Sequence, residues 1–188
     1  MINKASAATS AAATRARVRP ATPEDRAAIY DVLMTSGVFG RVDAACVDEM
    51  FVGTWTALQA NADADTYHWL IAEGPDDAAT SATVIGFACY GTESLTQGTW
   101  DLFWVCVRPE ARGMGAGRAL LQDSVAGARA KGARMMVIYT SSTAPYGAAR
   151  AVYEACGFSR AAVVSNYYDD GDDLHIYLRR LAESVIGC

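Results

Sequence analysis

Three glycines alternating between two arginines form the segment with the most evident chemistry. The segment is Arg112-Gly113-Met114-Gly115-Ala116-Gly117-Arg118, at the start of an otherwise good helical sequence. A glycine inside a helix costs about 1 kcal/mol relative to alanine, so such a cluster needs a reason. The first turn of a helix carries unpaired N–H groups and the positive end of the helix dipole. Without Cβ atoms those amides are open to a pyrophosphate, and the flanking arginines add positive charge.

Other phosphate-binding motifs fit this segment poorly. A P-loop ends in Gly-Lys followed by Ser or Thr, whereas Arg118 and Ala119 follow Gly117 here. A dinucleotide-binding fingerprint needs a further glycine at position 118 and a place early in a parallel βαβ fold. The remaining alternative is a glycine-rich helix start that only packs closely against its neighbours. The flanking arginines favour the anion site over that alternative.

The hydrophobic pattern predicts the strands and helices that must position this turn. Strands are predicted at 18–20, 67–72, 84–90, 99–107, 135–139, 158–168 and 174–178. Helices are predicted from Thr22 to Gly37, from Asp43 to Leu58, from Gly115 to Lys131 and from Pro145 to Ala155, with Thr22 and Asp43 as N-caps. This order predicts a single mixed α/β (α+β) domain with a mostly antiparallel sheet.

The remaining segments are predicted to be tails and turns. Residues 1–17 are rich in Ala, Ser and Thr; they resemble a transit peptide in composition, and a disordered tail is the preferred interpretation. Residues 18–182 form the domain, and residues 183–188 form a C-terminal tail. Residues 61–65 are a polar break, residues 74–77 are a turn, and residues 169–173 link the last two strands.

Composition excludes several classes of partner. The net charge of −5 argues against nucleic acid, which requires a basic face. Five cysteines without a C-x-x-C pair, beside two histidines, argue against a metal site, and the thiols are best explained as small apolar filler. No apolar run approaches the roughly 18 residues of a membrane span. An odd number of cysteines without a convincing secretion signal favours the reducing cytoplasm.

Two motifs resemble those of the GNAT-type N-acetyltransferases. In the stretch from Val105 to Leu121, the family core Arg/Gln-x-x-Gly-x-Gly/Ala is matched by Arg112, Gly115 and Gly117. The family's Tyr-Glu-x-x-Gly-Phe is matched by residues 153–158. The resemblance spans about residues 18–181 and is similar to a less-characterised bacterial subgroup. It implies the acyl-CoA N-acyltransferase fold, a splayed sheet flanked by helices, with acetyl-CoA as co-substrate and no metal.

The resemblance also implies where acetyl-CoA binds. The strand that ends at Val107 and the strand that begins at Met135 are expected to part like a V, and the pantetheine arm is expected to pair with the first of them as an added strand would. The pyrophosphate is expected to rest on the amides of the glycine-rich turn. The implied acetyl-CoA-binding residues are Val105, Cys106, Val107, Arg112, Gly113, Met114, Gly115, Ala116, Gly117, Arg118 and Arg150. Many family members have Asn where this chain has Tyr146, so the contact of that Asn with CoA is not carried over.

Acetyl transfer to an amine calls for a base and an acid. Tyr153 matches the tyrosine that often protonates the departing thiolate in the family, and a phenol with a pKa near 10 is neutral at pH 7. A core aromatic beside Phe158 is the alternative, and the two roles are compatible. For the base, Asp101 and Glu93 are candidates that act through a held water, or else are solvated strand-end charges. Asp101 is preferred because its apolar neighbours would raise its pKa.

The acceptor is expected to be the primary amine of a small molecule. Two alternatives stay open: a protein lysine or N-terminal acetyltransferase, and a non-catalytic acetyl-CoA-binding module. The acids Asp169, Asp170, Asp172 and Asp173 would attract a cationic amine, or would simply form a polar turn. The aromatic residues Phe39, Trp55 and Trp104 would line an apolar pocket or pack in the core. Because members of the family are often dimers, a homodimer is a further expected partner.

Overall fold

A computed structural model describes residues 16–60, 67–74 and 83–181 of the chain. The predicted tails, apart from residues 16 and 17, lie outside the described residues, as do the polar break at 61–65 and residues 75–77 of the predicted turn. In the described part of the chain, no helix combines the length and the apolar character that crossing a membrane requires.

The described residues form seven strands, four helices and three short 3-10 turns. The strands are β1 (Arg17–Pro20), β2 (His68–Glu73), β3 (Val84–Thr92), β4 (Thr99–Val107), β5 (Met135–Ser141), β6 (Ser159–Asp169) and β7 (Asp172–Arg180). The helices are α1 (Arg26–Thr35), α2 (Arg41–Gln59), α3 (Ala116–Ala130) and α4 (Gly147–Ala155). The 3-10 turns lie at Pro23–Asp25, Pro109–Ala111 and Ala144–Tyr146. The predicted order of strands and helices is confirmed.

The strands form one sheet in the order β1-β2-β3-β4-β5-β7-β6, and β4 and β5 are its parallel pair. The other neighbouring pairs are antiparallel, so the predicted mixed α/β domain with a mostly antiparallel sheet is confirmed. Each face of the sheet buries one core. Leu120 and Leu121 of α3 pack in the first core, and Val32 and Leu33 of α1 pack in the second. These two sides are called the α3 face and the α1 face below.

The parallel strands β4 and β5 separate soon after they meet. Their pairing covers only Thr99–Asp101 of β4 and residues 135–137 of β5. Immediately afterwards the register of β4 on β3 shifts, because Tyr90 pairs with Leu102 whereas Cys89 pairs with Trp104. Phe103 is thus the extra residue of a β-bulge, and a bulge bends the strand that carries it. The bend turns β4 away from β5 and opens a gap in the middle of the sheet.

Two predicted boundaries are wrong for local reasons. Helix α2 begins at Arg41 rather than after Asp43; the Asp43 carboxylate instead reaches back from the first turn and accepts a hydrogen bond from the Gly40 N–H at 2.8 Å. The link between the last two strands is also shorter than predicted, because β6 runs to Asp169 and β7 begins at Asp172. Gly171 takes a positive φ of 80° in this two-residue turn, a conformation suited to tight hairpins.

Candidate active site

A cleft of about 720 Å³ lies where β4 and β5 part, and it passes through the sheet from one face to the other. On the α3 face it is lined by Val105 and Val107 of β4 and by Val152 of α4. On the α1 face it is lined by Phe39 and Trp104. The β4–β5 pairing ends at Asp101. The backbone edge of the later β4 residues therefore has no strand partner on this side and faces the cleft.

The glycine-rich turn closes one end of the cleft. Gly113 and Gly115 have φ angles of +79° and +85°, in the left-handed region that disfavours side chains. A Cβ atom added at either position would meet no atom within 4 Å, and one added at Gly117 would lie at an ordinary 3.6 Å from the Val107 side chain. Close packing against the protein therefore explains none of these glycines. The backbone conformation explains the first two, and access from outside is the reason left for the third.

The amides of this turn are available to a ligand. Within the described ranges, no group accepts a hydrogen bond from the N–H of Gly113, Gly115, Ala116, Gly117 or Arg118. The N–H of Ala119 is the next along the chain and donates to the Gly115 carbonyl at 2.9 Å. These free donors stand at the positive end of α3, which is fifteen residues long, so the turn suits an anion.

The three arginines predicted to bind the cofactor donate to backbone carbonyls. The Arg112 guanidinium donates to the Ser36 carbonyl at 2.6 Å and fastens the turn to the end of α1. Arg118 donates to the carbonyl of Ala155 at 3.2 Å. Arg150 donates to the carbonyls of Ser141 and Thr143 at 2.6 and 3.0 Å, which holds the start of α4 against the end of β5. Arg112 and Arg118 also line the cleft, so their charge is near any anion on the turn.

Tyr153 reaches the cleft from the α3 face. It lies on α4, is 5% exposed, and its ring meets that of Tyr177 edge-on with centroids 5.8 Å apart. Burial raises the pKa of its phenol above the ordinary value of 10. The hydroxyl therefore stays protonated at neutral pH and is chemically suited to donate a proton. Tyr153 therefore packs in the core of the α3 face and also lines the cleft.

Asp101 lies on the opposite side, on the α1 face beside Glu93. Asp101 lies opposite Gly91 of β3 and pairs with Val137 of β5. Tyr139, which lines the cleft, comes two residues after Val137 and therefore lies on the same face of β5. Asp101 is 4% exposed, and its Oδ1 has no hydrogen-bond partner in the part of the chain that the structure describes. Burial first, and then the hydrogen bond and negative charge of Glu93, together raise the pKa of Asp101 to about 7.

The end of the cleft on the α1 face is aromatic and acidic. The Phe39 ring contacts Trp104 and Tyr146 edge-on, with centroid distances of 5.4 and 6.2 Å. Because Trp104 belongs to β4 and Tyr146 follows β5, these rings bridge the gap between the two strands. The carboxylates of Asp43 and Asp172 line the same end. Among the described residues, no cluster of His, Cys, Asp and Glu side chains suits a metal ion.

The structure brings most of the predicted site residues to one cleft. Those that line it are Val105, Cys106, Val107, Arg112, Gly113, Gly115, Ala116, Gly117, Arg118 and Tyr153. Met114, Arg150, Asp101 and Glu93 are not in the lining; Met114 is 46% exposed, and the two carboxyls lie just behind Tyr139. Trp55 contacts Phe51 in the core of the α1 face instead of the cleft.

Several lining residues carried no signal in the sequence. Ser36, Tyr139 and Tyr168 reach the cleft from α1, β5 and β6, which are far apart along the chain. Only the alternation in β5 gave a hint, because Tyr139 ends an apolar run on the face opposite Ile138. Of the four acids near the last turn, Asp172 is the one in the lining.

Comparisons with known proteins give a consistent result. A family model described as "Acetyltransferase (GNAT) family" matches residues 24–158. A crystal structure of a GNAT-family acetyltransferase from Desulfovibrio desulfuricans is 33% identical, with a TM-score of 0.77, and the match covers 89% of this chain and 99% of that one. An acetyltransferase from Salmonella typhimurium, solved with its cofactor acetyl-CoA, is 21% identical, with a TM-score of 0.68 and coverage of 93% and 99%. The ribosomal-protein-S18-alanine N-acetyltransferase of Escherichia coli is 18% identical, with a TM-score of 0.65 and coverage of 92% and 98%. These last two likenesses concern the fold alone. No curated protein sequence matches the chain.

Proposed function

Because the chain belongs to the GNAT family of acetyltransferases, we propose that it moves an acetyl group from acetyl-CoA to the primary amine of a small molecule by direct attack. One observation carries the proposal. A turn with free amides ends a cleft that crosses the sheet, and the two faces of that sheet hold a protonated phenol and a carboxyl with a pKa of about 7.

The described residues fit acetyl-CoA as co-substrate. The free amides of Gly113 and of Gly115 to Arg118 would bind its pyrophosphate, with Arg112 and Arg118 adding charge. The unpaired edge of β4 at Val105–Val107 would hold the pantetheine arm by backbone hydrogen bonds. When bound there, acetyl-CoA supplies an acetyl group activated as a thioester. Met114 and Arg150 are assigned supporting roles, since their side chains are outside the lining.

Asp101 and Tyr153 divide the proton transfers between the two faces. Amines of ordinary basicity arrive as ammonium ions, and attack requires a neutral nitrogen. Asp101 would accept that proton through a water in the cleft, because its carboxyl lies just behind the lining on the α1 face; Glu93 keeps its pKa close to neutral. Tyr153 would donate its proton to the leaving sulfur from the α3 face, and the second proton that the nitrogen loses on becoming an amide would replace it on the phenol. A base with a pKa near the working pH is the most effective one.

The aromatic bridge supports a small acceptor over a protein chain. A polypeptide acceptor needs a groove that continues past the reacting amine on both sides. Here Phe39 contacts rings on both sides of the gap, which gives this end of the cleft a wall. A pocket with a wall suits a compact molecule.

The test combines binding with thiol release. We expect the protein to bind acetyl-CoA by calorimetry and to release CoA thiol when primary amines are added. Tyr153→Phe should keep acetyl-CoA affinity and lose roughly 10²-fold or more in turnover. Tyr177→Phe is the matched control, since that ring lies 5.8 Å away but its hydroxyl donates to Glu154 at 3.0 Å outside the cleft lining.

Four results would contradict the proposal in different ways. Absence of any CoA binding removes the family function. Turnover in Tyr153→Phe equal to that in Tyr177→Phe removes the acid role of Tyr153. Binding of acetyl-CoA without thiol release from any amine or peptide points to a non-catalytic binding module, and release with peptides alone points to a protein acetyltransferase.

A further inference from the structure

The end of the cleft on the α1 face, where the proposed acceptor would bind, has an aromatic wall. Beside the bridge of Phe39, Trp104 and Tyr146, the rings of Tyr139 and Tyr168 line the same end. Tyr139 is 50% exposed and Tyr168 is 48% exposed, so each offers an uncovered ring surface to whatever enters. A half-exposed ring contributes binding free energy when a ligand with an apolar surface covers it, because the ring and the ligand then both lose contact with water.

The charges at this end are all of one sign. Asp43 and Asp172 are the carboxylates of the lining. Of its two arginines, Arg118 stands at the other end on the glycine-rich turn, and the Arg112 guanidinium is engaged with the Ser36 carbonyl. No Lys, Arg or His of the described residues lines the aromatic end. A bound carboxylate would therefore face two acids with no cation to pair with, which costs binding free energy.

Both acids are held in place and still have capacity to bind. The Gly40 N–H donates to Oδ2 of Asp43 at 2.8 Å. The Ser141 hydroxyl and the Ser142 N–H donate to Oδ1 of Asp172 at 2.6 and 3.2 Å. In the described part of the chain, the second oxygen of each carboxylate has no hydrogen-bond donor. Fixed carboxylates with one free oxygen each are preorganised to accept hydrogen bonds from an ammonium group.

From these observations we infer the class of acceptor: a primary amine carried on an aromatic or other apolar group, without a carboxylate of its own. This rests on the proposed acetyl transfer and narrows its substrate. The ammonium form binds between the free oxygens of Asp43 and Asp172 and over the tyrosine faces. The apolar group packs against the bridge at Phe39. Amino acids are disfavoured because their carboxylate meets the two acids.

The experiment uses acceptors that differ by one group. 2-Phenylethylamine carries the ring and the amine, phenylalanine adds a carboxylate, and propylamine lacks the ring. We expect kcat/KM for 2-phenylethylamine, measured by thiol release, to exceed that of each of the others by at least about tenfold. Calorimetry of 2-phenylethylamine and phenylalanine with the Tyr153→Phe variant and CoA should show the same preference in Kd, without need of turnover.

The variants separate charge from shape. Asp43→Asn and Asp172→Asn remove the charge but keep an oxygen that accepts the existing backbone or hydroxyl hydrogen bonds. Each should therefore lower the ratio of kcat/KM for 2-phenylethylamine to kcat/KM for phenylalanine. Asp170→Asn removes the same charge from the exposed turn of the same hairpin and should leave that ratio unchanged. Phe39→Leu removes a ring that contacts the apolar group, so it should lower the ratio of kcat/KM for 2-phenylethylamine to kcat/KM for propylamine.

The outcomes distinguish this inference from the function on which it rests. Three results would each overturn the acceptor class while leaving acetyl transfer intact. They are equal kcat/KM for phenylalanine and 2-phenylethylamine, the same ratio of these two values in Asp43→Asn and Asp172→Asn as in Asp170→Asn, and faster turnover of a peptide amine. A binding preference for 2-phenylethylamine without thiol release from any amine supports the binding site and overturns the catalytic function.

Discussion

Replacing Asp101 by Asn should change the pH dependence of stability as well as the activity. The Asp101 carboxyl is 4% exposed, and its Oδ1 has no partner among the described groups. Burial first, and then Glu93 beside it, raise its pKa from 3.8 to about 7. In the folded protein the group therefore holds a proton at a pH where the unfolded chain has lost it. The asparagine amide has no such proton to lose.

The sign and size follow from proton linkage. A raised folded-state pKa contributes stability that is fully present below the unfolded value of about 3.8 and is lost as the pH rises through about 7. Each pKa unit corresponds to 1.36 kcal/mol, and two units separate pH 5 from the folded-state pKa. Between pH 5 and pH 8, wild type should therefore lose about 2–3 kcal/mol of unfolding free energy relative to Asp101→Asn.

Urea unfolding at pH 5 and pH 8 measures this difference directly. Wild type, Asp101→Asn and Asp170→Asn are compared, and the last controls for the loss of one charge at an exposed site. Titrating groups that do not contact the substituted residues contribute equally to all three proteins and cancel. Thiol release should fall sharply in Asp101→Asn at every pH, so between pH 5 and pH 8 the variant should gain stability relative to wild type while its activity stays low. Parallel pH dependences in wild type and Asp101→Asn would refute a buried proton at this position.

The remaining predictions concern the second acid and two glycines. Glu93→Gln removes the negative charge that helps to raise the pKa of Asp101, so the rising limb of a plot of kcat against pH should move to lower pH. A limb that does not move would show that Glu93 has no influence on the pKa of the catalytic base. Gly115→Ala forces an L residue to a φ of +85° and should cost about 1–2 kcal/mol in thermal unfolding and weaken acetyl-CoA binding by calorimetry, whereas Gly117→Ala should weaken binding with little loss of stability. Gly86→Ala places a Cβ 2.7 Å from the Cys106 carbonyl and should lower thermal stability by about 1–3 kcal/mol as β3 and β4 are forced apart.

Features that depend on neighbouring residues in the chain were predictable. The strand Thr99–Val107 and the helix after the glycine-rich turn follow from local periodicity and from residues that stop them, and both lie where the sequence places them. The free amides of the turn were predictable for a similar reason, since they belong to a single segment. The positive φ angles of Gly113 and Gly115 add a conformational reason that composition alone does not give.

Features that depend on distant partners were not predictable. Arginines near a phosphate-binding turn are natural ligands for it, yet Arg112 reaches the Ser36 carbonyl, which lies 76 residues earlier in the chain. Arg150 likewise donates to carbonyls beside β5. The aromatic wall is made by rings from α1–α2, β4, β5 and β6, so no window of sequence contains it.

The bulge at Phe103 determines which face of the sheet the later side chains of β4 occupy. Strict alternation along β4 would put Val105 on the same face as Asp101. With the extra residue at Phe103, Val105 joins the core of the α3 face, while Trp104 and Cys106 share the α1 face with Asp101. The same bulge bends β4 away from β5 just beyond the last paired residue. The gap and the sorting of side chains therefore have one origin. The bulged strand opens a path through the sheet, keeps the Asp101 carboxyl on the α1 face and leaves its free backbone edge facing the cleft. The proposed proton removal and proton donation need opposite chemical environments, and the two faces of the sheet provide them by keeping Asp101 beside Glu93 and Tyr153 on the other side.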